Sequence, residues 1–270
     1  MNEAKALFDA GNLGGAIEAA ISAVKAKPTD IQARTFLFEL SLFSGDWDRA
    51  ARQLDAIGHQ STEAMIGAKI YQQCIEAERK RARYFSESLK PEFLSTPPDY
   101  VYGLLTANNR LREGKAAEAR EILDTVEEER PAFACRINGE EKGDFRDYND
   151  LTSSVLEVII KDSYVWVPFE EIVKIDFEPR KTLRDIFWRE AQLETLNGTN
   201  GTVFVPAMYV DSWKHDSDEV RLGRLTDWRD AGEDLYVGAG QKIFWIDGED
   251  RAILELEKIE FEIEELAETA

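Results

Sequence analysis

The sequence predicts a multidomain chain, with tetratricopeptide-like helical hairpins in its first half and a β-rich α+β domain in its second. Three observations carry that reading. The turn Gly11-Asn12-Leu13 leads to Ala16, Gly45-Asp46-Trp47 to Ala50, and Gly114-Lys115-Ala116 to Ala119. The first two copies stand one 34-residue step apart, the period of tetratricopeptide hairpins, and the third about two steps further on. After Pro131 the chain turns to β-branched and aromatic residues broken by turn signals, and five of its six tryptophans fall there.

Residues 2–26 read as two short helices around the turn at residues 11–15. Small alanines at Ala16, Ala50 and Ala119 let paired helices approach closely. Ala20 and Ala23, Leu54 and Ile57, and Leu123 and Val126 continue each buried stripe at helical spacing. Pro28 and Pro131 close the first and third hairpins, whereas the second has Thr62 at that spacing. Residues 63–89 read as one longer helix, whose run Arg79-Lys80-Arg81-Ala82-Arg83 reads as a solvated face or, failing that, a phosphate or peptide contact. Pro97-Pro98 then breaks the pattern before the first helix of the third hairpin.

Residues 1–131 thus form the helical domain, 132–149 a linker or loop, and 150–270 the strand-rich domain. That linker is neither long nor Gly/Ser-rich, which allows the halves to pack rigidly. Candidate strands are 155–160, 164–167, 172–177, 188–196, 202–210, 236–237, 241–246 and 253–263, the last of which also reads as a helix. A hairpin turn at Asn197-Gly198-Thr199-Asn200-Gly201 joins the fourth and fifth. The short strands are expected to curl into a small partly closed barrel. Trp166, Trp188, Trp213, Trp228 and Trp245 either fill that domain's core or line a groove for a ligand or partner helix.

Chemistry is sparse. The two histidines, His59 and His215, lie in different halves, and the acidic residues around His215 lack the spacing of a metal site. Gly238-Ala239-Gly240 precedes a strand rather than a helix, so it reads as a turn and not a phosphate cradle. Cys74 and Cys135 sit in no metal or disulfide pattern. No catalytic residue, cofactor or metal is expected. A net charge of −20 argues against nucleic acid or an anionic membrane and suits a basic or amphipathic peptide. The first 25 residues show neither half of a secretory signal, and no apolar run spans a bilayer, so cytoplasm is the expected location.

In the second half, Val155-Leu156-Glu157-Val158-Ile159 and Tyr164-Val165-Trp166-Val167-Pro168-Phe169 open a series. Thr182-Leu183-Arg184-Asp185 with Trp188, and Gly201-Thr202-Val203-Phe204-Val205-Pro206 with Tyr209, continue it. Leu222-Gly223-Arg224-Leu225-Thr226-Asp227-Trp228 and Gly238-Ala239-Gly240-Gln241-Lys242-Ile243-Phe244 complete it. In order and spacing these segments resemble the ImpE family, the TagJ or SciE-type accessory proteins of bacterial type VI secretion. One departure is Asp150-Leu151-Thr152-Ser153-Ser154, where the family is richer in Asp and Arg.

The resemblance implies a non-enzymatic adaptor that binds the N-terminal helix of the small contractile-sheath subunit. Through it the protein would connect to the AAA+ ATPase that recycles the sheath. Glu157, Trp166, Arg184, Arg224, Asp227 and Trp228 are the candidate partner-facing residues. The alternative is a hydrolase or transferase site around Glu157, Arg184, Arg224, Asp227 and Trp228, with the helical repeats recruiting a protein substrate.

Overall fold

The computed structural model describes residues 2–262, and seven helices of eight residues or more fill its first half. They are α1 (Asn2–Asp9), α2 (Leu13–Ala26), α3 (Ile31–Phe43), α4 (Trp47–Gly58), α5 (Thr62–Ser86), α6 (Asp99–Arg112) and α7 (Ala116–Glu129). The repeated turn is one motif used three times. Gly11, Gly45 and Gly114 all have positive φ, and the next residue's N–H reaches back to Leu7, Ser41 and Arg110 respectively. That is the double-bonded close of a helix whose C′ residue must be left-handed, which is why glycine recurs there. Side chains then start the next helices, since Asn12 accepts from Gly15 N–H at 2.8 Å and Asp46 from Arg49 N–H at 2.8 Å. Ala16, Ala50 and Ala119 are fully buried between paired helices, as the spacing predicts.

Strands build the second half: β1 (Glu92–Phe93), β2 (Cys135–Ile137), β3 (Glu140–Lys142), β4 (Phe145–Asp147), β5 (Val155–Ile160), β6 (Ser163–Pro168) and β7 (Ile172–Phe177). They continue with β8 (Trp188–Thr195), β9 (Asn200–Pro206), β10 (Thr226–Asp230), β11 (Tyr236–Gly240), β12 (Ile243–Ile246), β13 (Glu249–Ala252) and β14 (Lys258–Phe261), with a four-residue helix α8 (Asp218–Arg221) before β10. Nine strands form one sheet in the order β1-β6-β5-β9-β8-β7-β14-β2-β3, antiparallel except for the pair β1 and β6. It is open, with β1 and β3 at its edges, and does not close into a barrel. Two smaller sheets, β13-β12-β4 and β10-β11, flank it.

The structure departs from the sequence reading at short, charged segments. Residues 132–149 carry β2, β3 and β4 rather than a plain loop. Within the three strands only Cys135, Ile137, Phe145 and Asp147 turn inward, two or fewer to a strand and too few alternations to announce one. Residues 253–263 divide into a 3-10 turn, Ile253–Glu255, and β14, with Ile263 outside the described residues.

The halves share their cores. One apolar cluster joins Tyr84, α6 and α7 to the sheet through Trp166, Phe169 and Phe145. The other joins α1 to α5 with Ile159, Phe187, Trp188, Met208 and Leu222. The first two hairpin turns also rest on the second half: a methyl at Gly45 would overlap the Trp213 indole, and one at Gly11 the Glu219 carboxylate. Asp218 accepts the Leu13 N–H at 2.9 Å, capping α2 from across the chain.

A buried charge network and a candidate partner groove

Midway along α5, Cys74, Ala77, Glu78, Arg81 and Tyr84 form one buried stripe facing the sheet. Arg81 is only 2% exposed, so the solvated-face reading of residues 79–83 fails at this position. Its Nε and Nη2 donate to Glu157 of β5 at 2.7 and 3.1 Å, and Nη2 also reaches the Met208 carbonyl at 3.0 Å. Glu78, one turn back, lies 3.3 Å away and accepts the Trp188 N–H at 2.9 Å. On the other side of Glu157, Lys242 bridges it to Asp147, the latter at 3.1 Å. The Tyr164 hydroxyl donates to Glu157 at 2.6 Å and accepts the Trp166 N–H. Asp147 in turn accepts from the Asn149 N–H, the Thr152 hydroxyl and the Tyr209 hydroxyl.

Every charge in this network is paired and hydrogen-bonded, which is the condition for keeping it out of water. Burial alone would push the Glu157 carboxyl up. Arg81 and Lys242 outweigh burial and hold it well below the usual carboxylate range. A depressed folded-state pKa contributes stability above the unfolded value of about 4.3, and that contribution is lost as pH falls below it. Urea midpoints measured from pH 7 to pH 3 should therefore drop steeply in the wild type at the acid end. Glu157→Gln should start lower and fall less, and equal acid slopes would refute this assignment.

A second feature opens beside the network. A groove of about 950 Å3 is lined from α7, β4, the β10–β11 hairpin and β12. Its apolar lining is aromatic: Tyr148, Trp228, Tyr236 and Trp245, with the exposed Leu225. Tyr148 and Trp228 stand 5.1 Å apart, and Trp228 stands 5.5 Å from Tyr209, whose hydroxyl touches Asp147. Across β4, β12 and β13, Arg146, Trp245 and Asp250 are direct cross-strand partners and form one row on the groove face. The five tryptophans of the second half thus divide, with Trp166 and Trp188 in the core, Trp228 and Trp245 at the groove, and Trp213 on the Gly45 turn.

The six residues singled out in the sequence do not converge. Glu157 and Trp166 belong to the buried network. Arg184 sits on the seam with α3, 2.9 Å from Glu39 and over the Tyr71 ring. Arg224 donates to the Phe8 carbonyl at 2.6 Å, closing the end of α1, and also lines the groove. Asp227 pairs with His215 at 3.0 Å, and that bond together with the Trp228 N–H holds its carboxyl below the ordinary range. Trp228 faces the groove. Sequence reasoning missed Tyr148, Tyr236 and Asp250, and named Trp245 only among tryptophans for either core or groove; cross-strand pairing sets Asp250 beside Trp245.

Of the five residues considered for catalysis, Arg224 and Trp228 share the groove, but the guanidinium is occupied by α1 and Glu219. No His, Cys or Ser lines the groove among the described residues. Around His215, Asp211 pairs with Lys214 and Asp218 caps α2, and no metal-holding group of His, Cys, Asp or Glu occurs among the described residues. Both cysteines are buried and free, and burial pushes the Cys135 thiol up to about 12. No helix among the described residues is long and apolar enough to cross a membrane.

Fold and groove together define a class: a short helical-hairpin stack fused through common cores to an open sheet that carries an aromatic groove. A family model described as ImpE protein matches residues 139–260. Over 96% of this chain and 91% of the relative, the sequence is 31% identical to the type VI secretion system accessory component TagJ of Pseudomonas aeruginosa. The fold is similar to an X-ray crystal structure of a protein from Vibrio parahaemolyticus, with a TM-score of 0.88 and 25% identity over 98% of both chains. The chain belongs to the ImpE family.

Proposed function

We propose that this protein is a non-enzymatic accessory component of a type VI secretion system, and that its aromatic groove holds a helix of a partner protein. The partner proposed is the small sheath subunit, gripped through its N-terminal helix and so brought within reach of the AAA+ recycling ATPase. The observation that carries the groove's part is its lining, four partly exposed aromatic rings from separate strands and loops in an otherwise highly charged surface. Such rings supply large contact area at low conformational cost, as an amphipathic helix in a groove requires. Likeness to the Pseudomonas relative supports the system, and the resemblance read from the sequence supports the client.

The test is a titration of a labelled peptide comprising the sheath subunit's N-terminal helix. Saturable binding with a Kd of tens of micromolar or tighter is expected. Trp228→Ala should weaken it by about 30-fold, the effect of removing a central aromatic anchor. No saturation in the wild type would overturn the client, and an unchanged Kd in Trp228→Ala would overturn the groove.

A further inference from the structure

The charges around the groove are not equivalent. Each arginine that lines it already has a carboxylate: Arg130 has Asp144 and Glu127, Arg146 has Asp150 and Glu127, Arg120 has Asp124 and Asp150, and Arg224 has Glu219. The reverse does not hold. Asp234 and Asp250 line the same groove, are exposed, and have no ion pair or side-chain hydrogen bond among the described residues. The spare charge of the groove is therefore negative.

One of the spare carboxylates stands beside an aromatic ring, and the other lies close in sequence to one. Asp250 is the direct cross-strand partner of Trp245, which places both side chains on one face of the β12–β13 pair. Asp234 lies two residues before Tyr236, the first residue of β11, and both line the groove. A carboxylate next to an indole or phenol face is the pairing that receives an ammonium or guanidinium, by charge on one side and ring quadrupole on the other. From this we infer that the groove selects a segment carrying lysine or arginine, with a cationic head received by Asp250 beside the Trp245 ring and with Asp234 as a second carboxylate along the same groove. Apolar neighbours of that residue would lie on Tyr148, Trp228 and Leu225. The occupant is thus a cationic amphipathic helix, the choice that charge complementarity favours.

This inference rests on the proposed role of the groove, but its test needs no knowledge of the client. Two synthetic amphipathic helical peptides serve as probes, one built from leucine and lysine and the other from leucine and glutamine. Each is titrated against the full chain, against Asp234→Asn/Asp250→Asn, and against Glu3→Gln/Glu18→Gln, which removes two exposed carboxylates outside the groove. The wild type and the Glu3/Glu18 variant should bind the lysine peptide about tenfold more tightly than the glutamine peptide. In Asp234→Asn/Asp250→Asn that preference should shrink to about twofold, with an unchanged melting profile. Equal binding of the two peptides, binding of neither, or a preference that survives in the groove variant would each overturn the inference. The sheath-peptide titration above fails or succeeds independently of these outcomes.

Discussion

Arg81→Met is expected to cost about 3–5 kcal/mol of stability, the loss that follows when one partner of a buried ion pair is removed and the other remains. Methionine fills similar volume, so the penalty falls on charge rather than packing. The wild-type network holds Arg81 and Lys242 against Glu78, Glu157 and Asp147. Without the guanidinium, Glu157 keeps only Lys242 and the Tyr164 hydroxyl, and Glu78 keeps only the Trp188 N–H. Adding Glu157→Leu restores the balance of charge and should recover part of the loss. Urea unfolding of the single and double variants measures this. A double variant less stable than Arg81→Met would mean that the pair is not the source of the effect.

Gly45→Ala is expected to cost about 2–4 kcal/mol, and Gly114→Ala only about 1 kcal/mol. Both glycines end a helix with positive φ, +67° and +74°, so both variants suffer the same left-handed strain. They differ in surroundings. A β-carbon at Gly45 overlaps the Trp213 indole, whereas one at Gly114 meets nothing within 4 Å. The difference between the two melting shifts therefore measures how tightly the second hairpin turn sits on the strand-rich half. Trp213→Ala should reduce the cost of Gly45→Ala towards that of Gly114→Ala. Equal costs at the two glycines would show that the turn has no such contact to lose.

The helical half was legible because its signals are local. A glycine that must be left-handed, a capping Asn or Asp after it in the first two copies, and an alanine five residues past the glycine are each fixed by the chain a few residues away. The long strands were legible for the same reason, through runs such as Val155–Ile160. What the sequence hid is everything set by partners far along the chain. Arg81 stands in a basic run that looks solvated, although Cys74, Ala77 and Tyr84 at helical spacing mark it as lying on a buried face. The groove was half visible. Trp228 and Arg224 stood out in their motif, but Tyr148, Tyr236, Trp245 and Asp250 become neighbours only through strand register and the β10–β11 hairpin. Short strands such as Cys135–Ile137 have one inward residue too few for their alternation to be read.

The position of Arg81 has a consequence for the order in which the chain is made. Its carboxylate partner Glu157 lies 76 residues downstream, and Lys242 lies a further 85 beyond Glu157. During synthesis the helical half emerges first, with a cation on the face it must later bury and with neither Glu157 nor the lysine that shares it yet made. Glu78, one turn away on the same helix, is the only network carboxylate present at that stage, and it gives the guanidinium a local counter-charge in the interim. The ion pairs of Glu157 with Arg81 and with Lys242 are contacts of long sequence separation and require the strands to be in their final register. A slipped strand would therefore leave charge stranded in the interior, so the buried network ties the register of the sheet to the position of α5.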